Sequence, residues 1–167
     1  QNDLKNGGEG APLTPIFHKL LVQQLEEKKK IKTPIIILNI GGVANATYIN
    51  TCHEITSMDI GPGNCLIDKW IRANSDKNFD ENGDIAQSGK IDKFILEQSL
   101  NSYYANNINK KKSLDINDFD IFFARGLSLE NGARTITEFT ADILSKKLLD
   151  NNIYVCGGGR QNQFLID

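Results

Sequence analysis

No run of apolar residues in this sequence approaches the roughly 18 that a membrane-spanning helix needs, so no helical membrane anchor is expected. Charge of one sign is also missing. The chain carries 19 Lys and Arg against 21 Asp and Glu, mixed along its length, for a formal net charge of −2. That balance leaves no electrostatic footprint for nucleic acid. Cysteine is scarce: Cys52, Cys65 and Cys156 are odd in number and lack both metal-ligand and C-x-x-C spacing. Free thiols in a reducing compartment are therefore expected. No signal peptide is expected from the opening QNDLKNGGEG, which is polar and glycine-rich, and a cytoplasmic protein is expected. Nucleotide signatures of the commonest kinds are missing too. There is no G-x-G-x-x-G, and SGKID (88–92) lacks the Ser or Thr of a Walker A motif. Asp80 to Asp84 has the look of a calcium loop, but Ile85 stands where glycine is needed and Ile91 where glutamate belongs, which excludes calcium.

What is present suits one globular unit: 167 residues, 40% of them hydrophobic, can bury a real core. The chain begins on Gln1 and ends at FLID, just inside what should be a helix, so a piece of a longer protein is expected. Thr14-Pro15 reads as a helix start, with Phe17, Leu20, Leu21 and Leu25 marking one face at helical spacing and EEKKK (26–30) as a solvated end. Strands are predicted at 34–39, 43–49 and 53–59, close enough for an antiparallel meander. Asn64 is expected to cap a helix whose apolar side carries Leu66, Ile67, Trp70 and Ile71. A polar loop, a helix near 91–100 and a lysine-rich connector at 109–113 come next. A long helix at 129–149 then buries Ile136, Phe139, Ile143, Leu144 and Leu148 and leads to a strand at 153–156, parallel to the first. His18, on a helix, and His53, in a turn, are expected to be ordinary surface or core residues. The element order resembles an α/β fold with a ribonuclease-H-like mixed sheet and flanking helices, part of the actin, Hsp70 and sugar-kinase type of fold.

The candidate chemistry lies in glycine turns. Gly41 and Gly42 join two strands, with Asn39 before them and Asn45 after; bare amides there can approach phosphate oxygens, though an ordinary hairpin would use the same residues. Gly157, Gly158 and Gly159 remove side chains at the carboxyl end of a strand, the edge where open α/β sheets bind ligands, and tight helix packing would ask for the same. Asp59-Ile60-Gly61-Pro62-Gly63-Asn64 sets a carboxylate at a strand end beside a helix start, suited to sugar hydroxyls, to a Mg²⁺-bound water or to plain capping. Asp3 precedes a Gly-Gly-x-Gly turn containing Gly8 and Gly10, where a carboxylate can serve as a general base or be a simple loop residue.

Taken together, DLKNGGEGAPLTPIFH (3–18), LNIGGVANATYI (38–49), MDIGPGNCLIDKWI (58–71) and YVCGGGRQN (154–162) resemble the anhydro-N-acetylmuramic acid kinase family. KSLDINDFD and GLSLENGARTITEFTADIL are similar to that family as well, so the resemblance covers nearly the whole chain in order. It implies an ATP- and Mg²⁺-dependent kinase that opens the 1,6-anhydro ring of anhydro-N-acetylmuramic acid (anhydro-MurNAc) and phosphorylates O6. The product is MurNAc-6-phosphate, an intermediate of cell-wall recycling. The resemblance further implies that Asp3 activates the ring-opening water. Gly41, Gly42 and Asn45 would face phosphate, Gly157 to Gly159 would lie on the adenosine side, and Gly8, Gly10, Asp59, Gly61, Gly63 and Asn64 would line the sugar cleft. Residues 1–33 would form a cleft loop and connecting helix, and 34–167 an incomplete carboxyl-terminal lobe. The family's opening Gly-Thr-Ser-x-Asp-Gly loop has no counterpart here, so the expected partner is the missing amino-terminal half, and this chain alone is expected to be inactive. A homodimer is left open. A non-catalytic remnant or another sugar kinase of the same superfamily are the alternatives.

Overall fold

A computed structural model describes residues 14–28, 30–107, 113–148 and 152–167. Helix α1 (Thr14–Glu27) leads into strands β1 (Ile35–Ile40), β2 (Val43–Ile49) and β3 (Ile55–Pro62). Helices α2 (Cys65–Asn74), α3 (Asp84–Ser88), α4 (Lys93–Asn107) and α5 (Leu129–Ser145) follow, then strand β4 (Asn152–Cys156) and the short α6 (Gln163–Ile166). The sheet order is β3-β2-β1-β4, with β2 antiparallel to both neighbours and β4 parallel to β1. The predicted meander and the parallel return are both present. The chain is an α/β unit, a mixed sheet flanked by helices.

Strand β1, IIILNI, is apolar on both sides because both sheet faces are covered. Ile36, Leu38 and Ile40 point into the larger core with Trp70, Ile136, Phe139 and Ile143, whereas Ile35 and Ile37 meet Val22 and Ile49 beneath α1. Helix α5 starts on the Ser128 side chain, which accepts from the Asn131 amide. Its Gly132 lets Trp70 lie against the backbone, where the indole nitrogen donates to the Leu129 carbonyl at 2.8 Å.

Four expectations need correction. The apolar face that spacing marks on α1 does not meet the sheet: Phe17 is 62% exposed and Leu20 57%, while Pro15, His18 and Val22 are buried. Helical spacing groups residues on a face without saying which face meets the sheet, and here Val22 fills the space over Ile35, Ile37 and Ile49. The EEKKK stretch is not wholly solvated. The Glu26 carboxylate accepts from the Thr33 amide and hydroxyl at 2.8 Å each and pairs with His53 Nε2 at 2.5 Å. Strand β3 runs on to Pro62, so Asp59 lies inside it, opposite Asn45, rather than at its end. Asn64 precedes α2, but its side chain makes no capping bond.

Two helix boundaries also move. Helix α4 extends to Asn107, started by Asp92, whose carboxylate accepts from the Ile95 amide at 3.0 Å. Helix α5 stops at Ser145, and Leu148 lies beyond it, half-buried. The acid-rich 80–84 stretch has a local role: the buried Asp80 accepts from the Ile85 and Ala86 amides and so caps α3. Cys52, Cys65 and Cys156 are all free thiols. Among the described residues, no helix is long and apolar enough to cross a membrane.

Candidate active site

Because β2 runs against both its neighbours while β4 runs with β1, the carboxyl ends of β1, β3 and β4 share one edge of the sheet. Each of these ends delivers a glycine turn: Gly41-Gly42 after β1, Gly63-Asn64 after β3, and Gly157 to Gly159 after β4. The first two are bonded directly. The amides of Gly63 and Cys65 donate to the Gly42 carbonyl at 3.0 and 3.1 Å, and the Asn64 amide donates to the Gly41 carbonyl at 2.7 Å. Asn39 joins β1 to β4, its side-chain oxygen accepting from the Cys156 thiol at 3.8 Å.

The glycines differ in what their missing side chains allow. A Cβ at Gly63 would fall 2.1 Å from the Gly41 carbonyl oxygen, one at Gly61 2.6 Å from Ile143, and one at Gly159 2.2 Å from Ile40. Gly157 has φ of +84°, and its Cβ would lie 2.5 Å from the Asn39 side-chain oxygen. Those four are glycines for packing or for backbone geometry. At Gly41 the nearest atom would be 3.4 Å away, and at Gly158 it would be the Asn64 amide nitrogen at 3.7 Å. Intramolecular packing does not demand glycine at either of these two positions. Both stay bare on the shared edge.

Gly158 opens onto a cleft of about 730 Å³ whose walls include Asn64, Asp68, Arg72, Phe79 and Arg160. Phe79 is 56% exposed there, an aromatic face held toward solvent. Arg72 donates to the Asn78 carbonyl at 3.1 Å and Arg160 to the Gly157 carbonyl at 3.2 Å, so both guanidinium groups are anchored at the rim. Burial pushes the Asp68 carboxyl above its ordinary range, with Arg72 opposing the shift. Burial likewise raises the Cys156 thiol, and Arg160 works against it. A cleft that combines an aromatic face, two guanidinium groups and a bare glycine can take a planar ring with an anionic tail.

The model of the family described as anhydro-N-acetylmuramic acid kinase matches residues 1–167, the full length of the sequence. The chain belongs to that family. A protein of Pelagibacter ubique named anhydro-N-acetylmuramic acid kinase is 43% identical over 181 residues, a match covering 100% of this chain and 46% of that protein. Its counterpart in Zymomonas mobilis is 36% identical over 167 residues, covering 96% of this chain and 44% of the relative. The Caulobacter vibrioides protein of the same name is 38% identical over 165 residues, covering 96% and 43%. The chain thus spans a little under half the length of the curated relatives it matches.

In this anhydro-N-acetylmuramic acid kinase family member, Asp3, Gly8 and Gly10 lie outside the described residues. The other predicted positions gather at the one sheet edge. Gly41, Gly42, Gly61, Gly63, Asn64 and Gly157 to Gly159 sit in or beside the three turns, and Asn45 faces Asp59 across the β2–β3 ladder at a register shift. Asp59 is already engaged, since its Oδ2 accepts from the Leu114 amide at 2.9 Å. Sequence reasoning missed Asp68, Arg72, Phe79 and Arg160. Arg160 directly follows the triple glycine, and Asp68 and Arg72 stand four apart on α2, so those three left a readable trace. Phe79 left none, because only the folded loop sets it across from Gly158.

Proposed function

We propose that this chain is the nucleotide-holding part of an anhydro-N-acetylmuramic acid kinase. The whole enzyme opens the 1,6-anhydro ring of anhydro-MurNAc and transfers the γ-phosphoryl group of ATP to O6, giving MurNAc-6-phosphate. The observation that carries this is the convergence of three glycine turns at one sheet edge, with Gly41 and Gly158 bare for no internal reason. Phosphoryl transfer is catalysed mainly by positioning and charge stabilisation, and side-chain-free turns let amides approach a polyphosphate closely. The ribose and base would enter the cleft beside Gly158, with the phosphates running toward Gly41. Among the described residues, no group of three or more His, Cys, Asp or Glu could hold a metal ion. Mg²⁺ would keep several waters and be carried by the nucleotide phosphates with one or two carboxylates rather than by a protein cage. Its chemistry would be neutralisation of phosphate charge. Asp3, next to the Gly8 and Gly10 turn, would accept the proton of the water that attacks the anomeric carbon.

The remaining half of the kinase would cover the outward face of α1, where Ile16, Phe17 and Leu20 are 56%, 62% and 57% exposed. Relatives more than twice as long have the chain to do so. Substituting Gly158→Ala tests the nucleotide site in the whole kinase. A methyl fits at Gly158 and stiffens the unfolded chain's competitor states, so the melting temperature should hold or rise slightly. The KM for ATP should increase about tenfold, the equivalent of 1.4 kcal/mol. An unchanged KM for ATP would remove Gly158 from the nucleotide site.

A further inference from the structure

The KSLDINDFD stretch, family-like in sequence, has no role in the site as described so far, and the structure gives it one. From Leu114 to Phe119 it is a tight turn tied at both ends. The Leu114 amide donates to Asp59 on β3 at 2.9 Å, and Lys69 Nζ on α2 donates to the carbonyls of Ile116 and Phe119 at 2.7 and 2.9 Å. Asp115 and Asp118 close a capping box within the turn, and Phe119 anchors it in the core. All this rigidity presents one apolar side chain. Ile116 is 46% exposed among Asp115, Asn117 and Asp118, and its Cγ2 lies 3.1 Å from where a Gly42 Cβ would be. A side chain at Gly42 would press on Ile116, so the two positions are in close contact. The turn hangs from Asp59 on β3 and from Lys69 on α2. None of its residues lines the Gly158 cleft, whose walls take Asp68 and Arg72 from the same helix; the turn borders the Gly41-Gly42 hairpin outside that cleft.

We propose that the Leu114–Phe119 turn is the acceptor-side wall of the active site, with Ile116 touching an apolar substituent of the sugar and Lys69 acting as a positioning residue. The inference rests on the kinase function proposed above. If the hairpin holds the phosphate to be transferred, a wall that packs on the hairpin outside the nucleotide cleft meets the molecule that receives it. A solvent-facing isoleucine on a clamped polar turn suits a methyl group, and the sugar offers two, on its lactyl ether and on its N-acetyl group.

Steady-state kinetics on the whole kinase, varying sugar and ATP in turn, decides this. Removing an apolar contact of this size costs about 10- to 200-fold in kcat/KM. Ile116→Ala should lose that much toward anhydro-MurNAc, Ile116→Val less, with the KM for ATP and the melting temperature unchanged. Lys69→Met should act in the same direction through the sugar alone, and Lys69→Arg, which can still donate to two carbonyls, should recover most of the loss. An anhydro sugar lacking the lactyl ether distinguishes the two methyls. The Ile116→Ala penalty vanishes with it if Ile116 meets the lactyl group and persists if it meets the acetyl group. An Ile116→Ala enzyme with wild-type kcat/KM for the sugar, or with only the KM for ATP raised, overturns the acceptor wall while wild-type turnover keeps the kinase reading intact. A wild-type enzyme that fails to phosphorylate anhydro-MurNAc overturns both.

Discussion

A Cβ added at Gly63 would sit 2.1 Å from the Gly41 carbonyl oxygen, whereas one added at Gly158 would meet nothing closer than 3.7 Å. The contacted atom at Gly63 is backbone, in a turn already bonded to the Gly63 and Asn64 amides, so it cannot move aside cheaply. Gly63→Ala should therefore destabilise the chain by about 1–3 kcal/mol, the usual cost of overpacking, measurable by urea denaturation. Gly158→Ala should not. In the sequence these glycines look alike, and packing and ligand approach were equally good reasons for each; only the neighbour of the missing Cβ separates them. Asp3 belongs to the same scale. Ring opening needs a base for the attacking water, and a positioned carboxylate contributes about 10²- to 10⁴-fold. Asp3→Asn in the whole kinase should lower kcat by that factor and leave the sugar KM nearly unchanged, because an amide keeps the size but has no basicity. An Asp3→Asn enzyme with near-normal kcat would remove Asp3 from the mechanism.

Among the elements, the strands were the most legible. PIIILNI, rich in β-branched residues and followed by glycines, reads as a strand, and the short connections at Gly41-Gly42 and Asn50-Thr51 favour a meander. Helix α1 was legible as a helix but not in orientation, because it has apolar residues on two sides and a histidine on the side that meets the sheet. His18 is buried, its Nδ1 3.0 Å from the Thr47 hydroxyl, and that hydroxyl lies 3.5 Å from Ser57. The ring meets the Thr47 hydroxyl, with the Phe17 ring tilted beside it at 6.4 Å between centroids. Burial holds the His18 imidazole below its ordinary value of 6.5, so the folded chain favours the neutral ring. The corresponding stability is present above that value and is lost as pH falls through the lowered one. Melting temperatures should accordingly decline from about pH 7 to pH 5, and His18→Gln, which keeps a hydrogen bond to Thr47 without a titrating group, should flatten the decline. An equal slope in His18→Gln would assign the effect elsewhere. Glu26 and His53 pin the other end of α1, a pairing between residues 27 apart that no local pattern announces.

For the molecule as a whole, strand direction turns scattered glycines into one site. Three strands running the same way bring their turns to a common edge, where the cleft opens beside Gly158 and the clamped turn packs at Gly42. The outward stripe on α1 is the other large-scale feature. Leu20→Asp should leave the melting temperature of this chain unchanged, since Leu20 is already 57% exposed, and should lower that of the whole kinase if the other half rests there. The nucleotide site itself can be tested most directly by titrating the ¹⁵N-labelled 167-residue chain with Mg²⁺-ADP and following its amide signals. Nucleotide binding at the three turns should give shifts centred on Gly41, Gly42, Asn64 and Gly157 to Gly159. No shift, or shifts centred on α1 or the α4–α5 surface, would contradict it.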